Sequence, residues 1–236
     1  MILFIDYNNK IVYIMSCKCG TTTIANMLNI DINTEYDNDT INNTLNNPEY
    51  KKIIIIRKSI IDRFLSGFYE DLFNNFCYDN MNITFNDYLL FLQKCYKEKI
   101  PNVNNLNVYN NNLDIPVWFG NCSNVSLNIT DENGNFCSHI MSQKYHIQNI
   151  VNAINCKNVE IIELSKLNTI LPNIERYNEK EKIQVYVNIS NLSLSEIKLN
   201  KLIITKKYLN KRQKKIILDI YKEDRDFFNE LNEKFN

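Results

Sequence analysis

A lysine, a glycine and several threonines stand close together near the start of the chain, in the stretch SCKCGTTT. Lys18 supplies a mobile cation, and Gly20 lets the backbone approach a ligand closely. Thr21 and Thr22 add hydroxyl donors to the same segment. This composition suits a loop that holds an anion, although an ordinary strand-to-helix turn with a solvated lysine contains the same residue types.

The segment lies where an apolar, strand-like run gives way to a helix-like pattern. The run IVYIM at residues 11–15 predicts a core strand, and apolar residues recur at helical spacing from Thr22 to Leu28. Backbone N–H groups point outward at such a helix start, and the helix dipole favours negative charge there. The pattern is not a Walker A loop, because Lys18 precedes Gly20.

A second candidate lies in KKIIIIRKSIIDRFLSGFY, where a continuous apolar run ends in Arg57. Such a run is typical of a buried strand in a parallel sheet. The helix predicted after it places Arg63, Ser66 and Glu70 on one side. Ligands of open parallel sheets bind at the carboxyl ends of the strands, so Arg57 and the first loop are expected to meet. A capping arginine and a solvent-facing serine are the alternative.

The remaining pattern predicts the elements that position these residues. ILFID and KIVYIM predict a hairpin or bent strand pair, and NVEIIEL predicts another buried strand. TFNDYLLFLQKCY predicts a helix capped by Thr84, and the stretch from Leu209 to Phe235 predicts a C-terminal helix. Residues 31–50 and 100–138 read as loop or irregular structure. The order of these elements predicts an α/β fold, with a central parallel sheet flanked by helices in one domain spanning residues 1–236.

Composition limits the class of protein. The chain has 236 residues, a formal net charge of zero and seven cysteines without framework spacing. These values predict no general nucleic-acid binding and a reduced, cytoplasmic setting. The first residues lack a signal-peptide pattern, and no apolar run is long enough to suggest a transmembrane segment.

The paired motifs resemble those of sulfotransferases that use 3′-phosphoadenosine 5′-phosphosulfate (PAPS), particularly the carbohydrate-modifying branch. In that family a Lys-x-Gly-Thr-[Thr/Ser] loop holds the 5′-phosphosulfate, and KCGTT is similar to it. A strand ending in Arg, followed by a helix with Ser-[Gly/Ala]-aromatic, holds the 3′-phosphate, and Arg57 with RFLSGF is similar to that motif. The resemblance implies a P-loop-like fold and the following cofactor-binding residues: Lys18, Cys19, Gly20, Thr21, Thr22, Thr23, Arg57 and Ser66.

The resemblance also implies a reaction, namely in-line transfer of a sulfuryl group to a hydroxyl of a carbohydrate or glycoconjugate. Lys18 is then the catalytic cation at the leaving oxygen. SHIMSQ is similar to a His-Trp-x-Pro-Gln segment of the family, so His139, four residues before Gln143, is the expected catalytic base. His146 and Glu70 are other possible bases. No metal is expected.

Two other functions remain open. A small nucleotide kinase predicts a Walker A loop and Mg²⁺-binding carboxylates, and the sequence shows neither clearly. A catalytically inactive scaffold that binds a nucleotide or glycan is the other alternative, because Ser66 lies nine residues after Arg57, one more than the family usually has.

Two further features are open to structural and functional interpretations. Cys17 and Cys19 flank Lys18 and are expected to be small buried thiols, with a redox or metal pair as the alternative. The basic run at residues 198–215 is a solvated helix face, or alternatively a lid over the cofactor or a track for an anionic glycan, with Lys206, Lys207 and Arg212 as the residues to test.

Overall fold

The computed structural model describes residues 2–32, 34–70, 72–73, 84–97, 142–167 and 192–235. It contains a four-stranded sheet and eight α-helices in these ranges, so the predicted mixed α/β class is confirmed. In chain order the elements are β1 (Ile2–Asp6), β2 (Ile11–Met15), α1 (Thr21–Leu28), α2 (Asn38–Asn46), β3 (Lys51–Ile56), α3 (Ile60–Glu70), α4 (Phe85–Lys97), α5 (Gln143–Ala153), β4 (Val159–Glu163), a 3₁₀ turn (Leu164–Lys166), α6 (Leu194–Leu199), α7 (Lys211–Ile220) and α8 (Lys222–Phe235).

The chain divides into two compact units. Unit 1 consists of Met1–Ser59, Ser142–Asn178 and Glu223–Asn236, and unit 2 consists of Ile60–Met141 and Glu179–Lys222. The single domain expected for residues 1–236 stays a prediction.

The sheet of unit 1 has the order β1-β2-β3-β4. The first pair is antiparallel, as the predicted hairpin requires, whereas β2–β3 and β3–β4 are parallel. The carboxylate of Asp6 closes the hairpin, because its Oδ1 accepts hydrogen bonds from the backbone N–H groups of Asn8 (3.1 Å) and Asn9 (3.0 Å). The two parallel pairings place the carboxyl ends of β2, β3 and β4 at one edge.

Alternate residues of the strands pack into two cores, one on each face of the sheet. In β3 the side chains of Ile53 and Ile55 join α1 on one face. Those of Ile54 and Ile56 join α5 and α8 on the other face. All four isoleucines are at most 2% exposed, and burial of each such side chain stabilises the fold by about 1.5–3 kcal/mol. The apolar run therefore forms a strand covered by helices on both faces, as the sequence predicts.

One expectation for unit 1 is wrong, because residues 38–46 form α2 rather than loop. The carboxylate of Asp37 caps this helix by accepting a hydrogen bond from the backbone N–H of Thr40 at 2.7 Å. Leu45 in its last turn is buried in the core beside α5. The weak helix propensity of the Asn-rich segment is outweighed by this cap and by burial, which together stabilise the helix.

Unit 2 is built from α3, α4, α6 and α7 around a core of aliphatic and aromatic side chains. The ring of Phe68 packs edge-on against that of Phe85, with centroids 5.1 Å apart. The phenol oxygen of Tyr69 accepts a hydrogen bond from the backbone N–H of Ile204, and burial raises the pKa of this phenol. Thr84 caps α4 as predicted, because its hydroxyl oxygen accepts a hydrogen bond from the backbone N–H of Asp87 at 3.1 Å.

The predicted C-terminal helix consists of two helices, α7 and α8, which meet at Tyr221. The stretch at residues 100–138, expected to be irregular, lies outside the described residues. None of the helices in the described ranges has the length and apolar content needed to cross a bilayer.

Lys52 is a buried lysine within β3. Its side chain is 0% exposed, and its ammonium donates hydrogen bonds to the backbone carbonyls of Asn47 (2.5 Å) and Tyr50 (2.8 Å). The ammonium thereby satisfies two carbonyl oxygens in the turn between α2 and β3. The neighbouring Lys51 is half-exposed and pairs with Glu160 at the surface.

Replacing Lys52 by Met should lower the free energy of unfolding by about 2 kcal/mol, because two charge-assisted hydrogen bonds to backbone carbonyls are lost. The matched variant Lys51→Met should change it by less than about 0.5 kcal/mol, since exposed ion pairs contribute little. Urea unfolding followed by circular dichroism measures both changes. Equal losses in the two variants would contradict this role for the Lys52 ammonium.

Candidate functional site

The loop between β2 and α1 has an unusual backbone. Lys18 has φ 62° and Gly20 has φ 90°, so two residues in a span of three adopt the left-handed conformation. Alternation of this kind turns successive backbone N–H groups toward one side and forms concave sites that bind anions. The left-handed conformation is costly for a side-chain-bearing residue such as Lys18, and such strain concentrates at functional sites.

The first turn of α1 continues this loop. Gly20 is the N-cap residue, and no side chain among the described residues caps the helix. Thr21 is buried, Thr22 is exposed and Thr23 is half-buried. This short segment therefore contains the backbone N–H groups of the first turn, the positive end of the helix dipole, threonine hydroxyls and the Lys18 side chain.

Packing also favours a residue without a Cβ atom at position 20. A Cβ atom on this residue would lie 2.9 Å from Cδ1 of Leu164, in the 3₁₀ turn that follows β4. The glycine thus lets the loop pack closely against the end of β4. Close approach of its backbone to a ligand stays a prediction.

Arg57 and the loop meet at the carboxyl edge of the sheet, as expected from parallel pairing of their strands. Met15 at the end of β2 lies beside Ile55 in β3, so the chain leaves both strands at the same level. The guanidinium Nη1 of Arg57 donates a hydrogen bond to the backbone carbonyl of Lys18 at 3.2 Å. Two cationic residues 39 positions apart in the chain are thereby brought together.

Gln143, the first residue of α5, also lies at this edge, and the sequence did not predict its contacts there. Its side chain is 1% exposed. The amide Oε1 accepts hydrogen bonds from the backbone N–H of Arg57 (2.8 Å) and from the thiol of Cys19 (3.2 Å). The amide Nε2 donates to the backbone carbonyl of Arg57 at 3.0 Å. Its spacing from His139 was the only sequence signal that singled it out.

A cavity of about 350 Å³ opens at the same edge, within unit 1. It lies beside the ends of β3 and β4, and its charged lining side chains are Lys58, Glu160, Glu163 and Lys166. This volume is at the lower end of the range for small-molecule sites. The mixed charge of the lining suits a polar ligand.

Other predicted site residues lie elsewhere or outside the described ranges. Ser66 is half-buried in α3, within unit 2, and its pairing with Arg57 stays a prediction. Arg63, placed with Ser66 on one side of the same helix, is only 1% exposed. His139 lies outside the described residues, and His146 is half-buried in α5.

The two cysteines beside Lys18 are buried, as expected. Cys17 is 8% exposed and Cys19 is 0% exposed, and neither is in a disulfide. The thiol of Cys19 also lies 3.2 Å from the hydroxyl of Ser16. In the part of the chain that the structure describes, no three His, Cys, Asp or Glu side chains group as they would around a metal ion.

The basic run does not form one continuous helix. Lys206 and Lys207 lie in the turn between α6 and α7, and Arg212 lies in the first turn of α7. All three side chains are exposed. Solvation explains their placement, and closure over a cofactor stays a prediction.

Comparison of the chain with protein-family models, with curated proteins and with solved structures finds no match.

Replacing Gly20 by Ala should lower the free energy of unfolding by about 2 kcal/mol, because the new Cβ meets Leu164 in a left-handed backbone conformation. In the double variant Gly20→Ala with Leu164→Ala, the steric part should be relieved while the backbone strain remains. A double-mutant cycle by urea unfolding should then give a coupling of about 1 kcal/mol between the two positions. Strictly additive losses would contradict the packing role.

Proposed function

We propose that this chain is a PAPS-dependent sulfotransferase that transfers a sulfuryl group to a hydroxyl of a carbohydrate or glycoconjugate. The observation that carries the proposal is the contact between Arg57 and the Lys18 loop at the carboxyl edge of two adjacent parallel strands. The proposal includes a P-loop-like fold in a single domain and a cytoplasmic location.

The loop fits the phosphosulfate end of the donor. Its left-handed residues and the helix start behind it supply several N–H donors over a short arc, and Lys18 adds a full positive charge. Such a donor set matches a group with several anionic oxygens. In this proposal the residues that hold that end are Lys18, Cys19, Gly20, Thr21, Thr22 and Thr23.

Arg57 fits the 3′-phosphate end. A guanidinium is a planar fork of N–H donors that matches the geometry of a phosphate, and the guanidinium of Arg57 donates to the Lys18 carbonyl. The same bond fixes the guanidinium next to the loop, at a position where one ligand can contact both. Ser66 is the second expected ligand of the 3′-phosphate, on the basis of the sequence resemblance.

The chemistry asked of these residues is electrostatic. PAPS, when bound, supplies an activated sulfuryl group and a phosphate leaving group. Lys18 and the N–H groups of the loop stabilise the negative charge that develops on the leaving oxygen. Because these donors are held by the fold, little reorganisation is required during the reaction.

Proton removal from the acceptor is assigned to His139, whose ordinary pKa lies near neutrality. The acceptor class follows from the resemblance to carbohydrate-modifying sulfotransferases.

Adenosine 3′,5′-bisphosphate should bind the wild-type chain and raise its melting temperature, whereas ATP with Mg²⁺ should not. Arg57→Ala should weaken the bisphosphate by about 10- to 100-fold, because a charge-assisted hydrogen bond is lost. Adenosine 5′-monophosphate should be affected by less than about threefold, since it lacks the 3′-phosphate. Isothermal titration calorimetry measures these affinities.

Matched controls use an exposed arginine and an exposed lysine of unit 1 that belong neither to the Lys18 loop nor to the Arg57 segment. Arg225→Ala, at an exposed position of α8, and Lys10→Ala, in the hairpin turn, should leave both affinities unchanged. If Arg57→Ala and Arg225→Ala behave alike, or if ATP with Mg²⁺ stabilises the chain better than the bisphosphate, the assignment is wrong.

Wild-type enzyme should transfer labelled sulfate from PAPS to a member of a glycan panel, and Lys18→Ala should slow this transfer by about 100-fold or more. The charge-matched control Lys10→Ala should retain the wild-type rate. Bisphosphate binding without transfer to any acceptor would show a nucleotide-binding scaffold instead of an enzyme.

A further inference from the structure

The side chain of Gln143 contacts both segments that form the candidate site. Its amide oxygen accepts from the Arg57 backbone (2.8 Å) and from the Cys19 thiol (3.2 Å). A buried amide oxygen with two donors has both lone pairs engaged. One atom therefore connects the end of β3 with the loop that precedes α1.

The amide also continues the sheet beyond the end of a strand. The last residue of β3, Ile56, pairs with Glu163 of β4. The next residue, Arg57, exchanges both of its backbone hydrogen bonds with the amide of Gln143, at 2.8 Å and 3.0 Å. Because its backbone is held on both groups, the direction in which the Arg57 side chain leaves the strand is restricted.

The contacts form a closed ring. The ring runs from Gln143 to the Arg57 backbone, through the guanidinium to the Lys18 carbonyl, and through the Cys19 thiol back to Gln143. Gln143 makes the contacts to both segments, so its replacement should loosen both, whereas replacement of Cys19 removes only the contact to the loop. Hydrogen-bond networks of this kind restrict a buried polar cluster to one arrangement when each of their groups is satisfied.

Gln143 itself is held by the fold of unit 1. It begins α5, whose apolar face is buried on the sheet through the side chains of Ile147, Ile150 and Val151. The backbone N–H of the next residue, Lys144, donates to the carboxylate of Asp224 in α8 at 3.0 Å. The amide thus projects from a rigid element to two loops that lack regular structure.

We propose that Gln143 is a positioning residue that sets the distance between the Lys18 loop and Arg57, so that the two ends of one nucleotide are bound together. The inference rests on the proposed function, because the two anionic ends are those of the PAPS-type ligand. Gln143 does not touch the ligand in this scheme. It acts through Arg57 and Cys19.

The first measurement needs no ligand. Gln143→Met keeps the length of the side chain but removes its three hydrogen bonds. Hydrogen–deuterium exchange followed by mass spectrometry should become about tenfold faster in residues 16–22 and in residues 55–60 together. The matched control is Gln148→Met, the same change at a half-buried position of the same helix, which should leave both segments unchanged.

The second measurement compares the affinities for two nucleotides, one of which contacts both segments in this scheme. In wild-type protein, adenosine 3′,5′-bisphosphate should bind more tightly than adenosine 5′-monophosphate. Gln143→Met should reduce this ratio of affinities by about tenfold while changing the affinity for the monophosphate by less than about threefold. A residue with only a structural role would weaken both nucleotides equally and leave the ratio unchanged.

A second variant guards against failure of Gln143→Met to fold. Cys19→Ala removes one contact of the ring, so exchange should increase in residues 16–22 and not in residues 55–60, with a smaller loss of the affinity ratio. The proposal is overturned if exchange increases throughout the sheet, if neither segment responds, or if the affinity ratio is unchanged. If wild-type protein binds no bisphosphate, the proposed function fails, and the exchange result alone decides whether Gln143 couples the two segments.

Discussion

The parallel pairing of β2 with β3 is the interaction on which the candidate site depends. The register that places Met15 beside Ile55 makes both strands end at one edge of the sheet. Without that pairing, no other backbone pairing would place the end of β2 beside the end of β3, and the Lys18 loop would not lie next to Arg57. The pairing is maintained by burial of the β3 isoleucines on both faces of the sheet, so the hydrophobic core of unit 1 also determines the geometry of its polar edge.

At that edge, local backbone strain and tight packing occur in the same loop. Lys18 and Gly20 adopt left-handed conformations, and the missing Cβ of Gly20 makes room for Leu164. Strain of this kind persists only where surrounding contacts hold it, and here the contacts come from β4 and from Gln143.

The periodicity of the sequence predicted most elements of unit 1, because each is stabilised mainly by its own pattern of apolar residues. The hairpin, β3, β4 and the helix after the Lys18 loop all followed from it. The helix α2 did not, since its Asn-rich sequence has little helix propensity and depends on a cap and on burial of Leu45. Burial of Lys52 was equally hidden, because the partners of its ammonium are backbone carbonyls that no pattern of side chains reveals.

For the candidate site, the sequence by itself was sufficient to predict a loop with anion-binding residue types and an arginine at the end of a buried strand. These features are local, since a strand, a turn and a helix start follow one another within a few residues. Only the tertiary structure decided that Gln143 joins them, because its partner Arg57 lies 86 residues away and is bound through backbone N–H and C=O groups, which do not depend on the side chain. The spacing of residues along the chain cannot predict a contact of this kind. The fold creates it by packing α5 against the sheet.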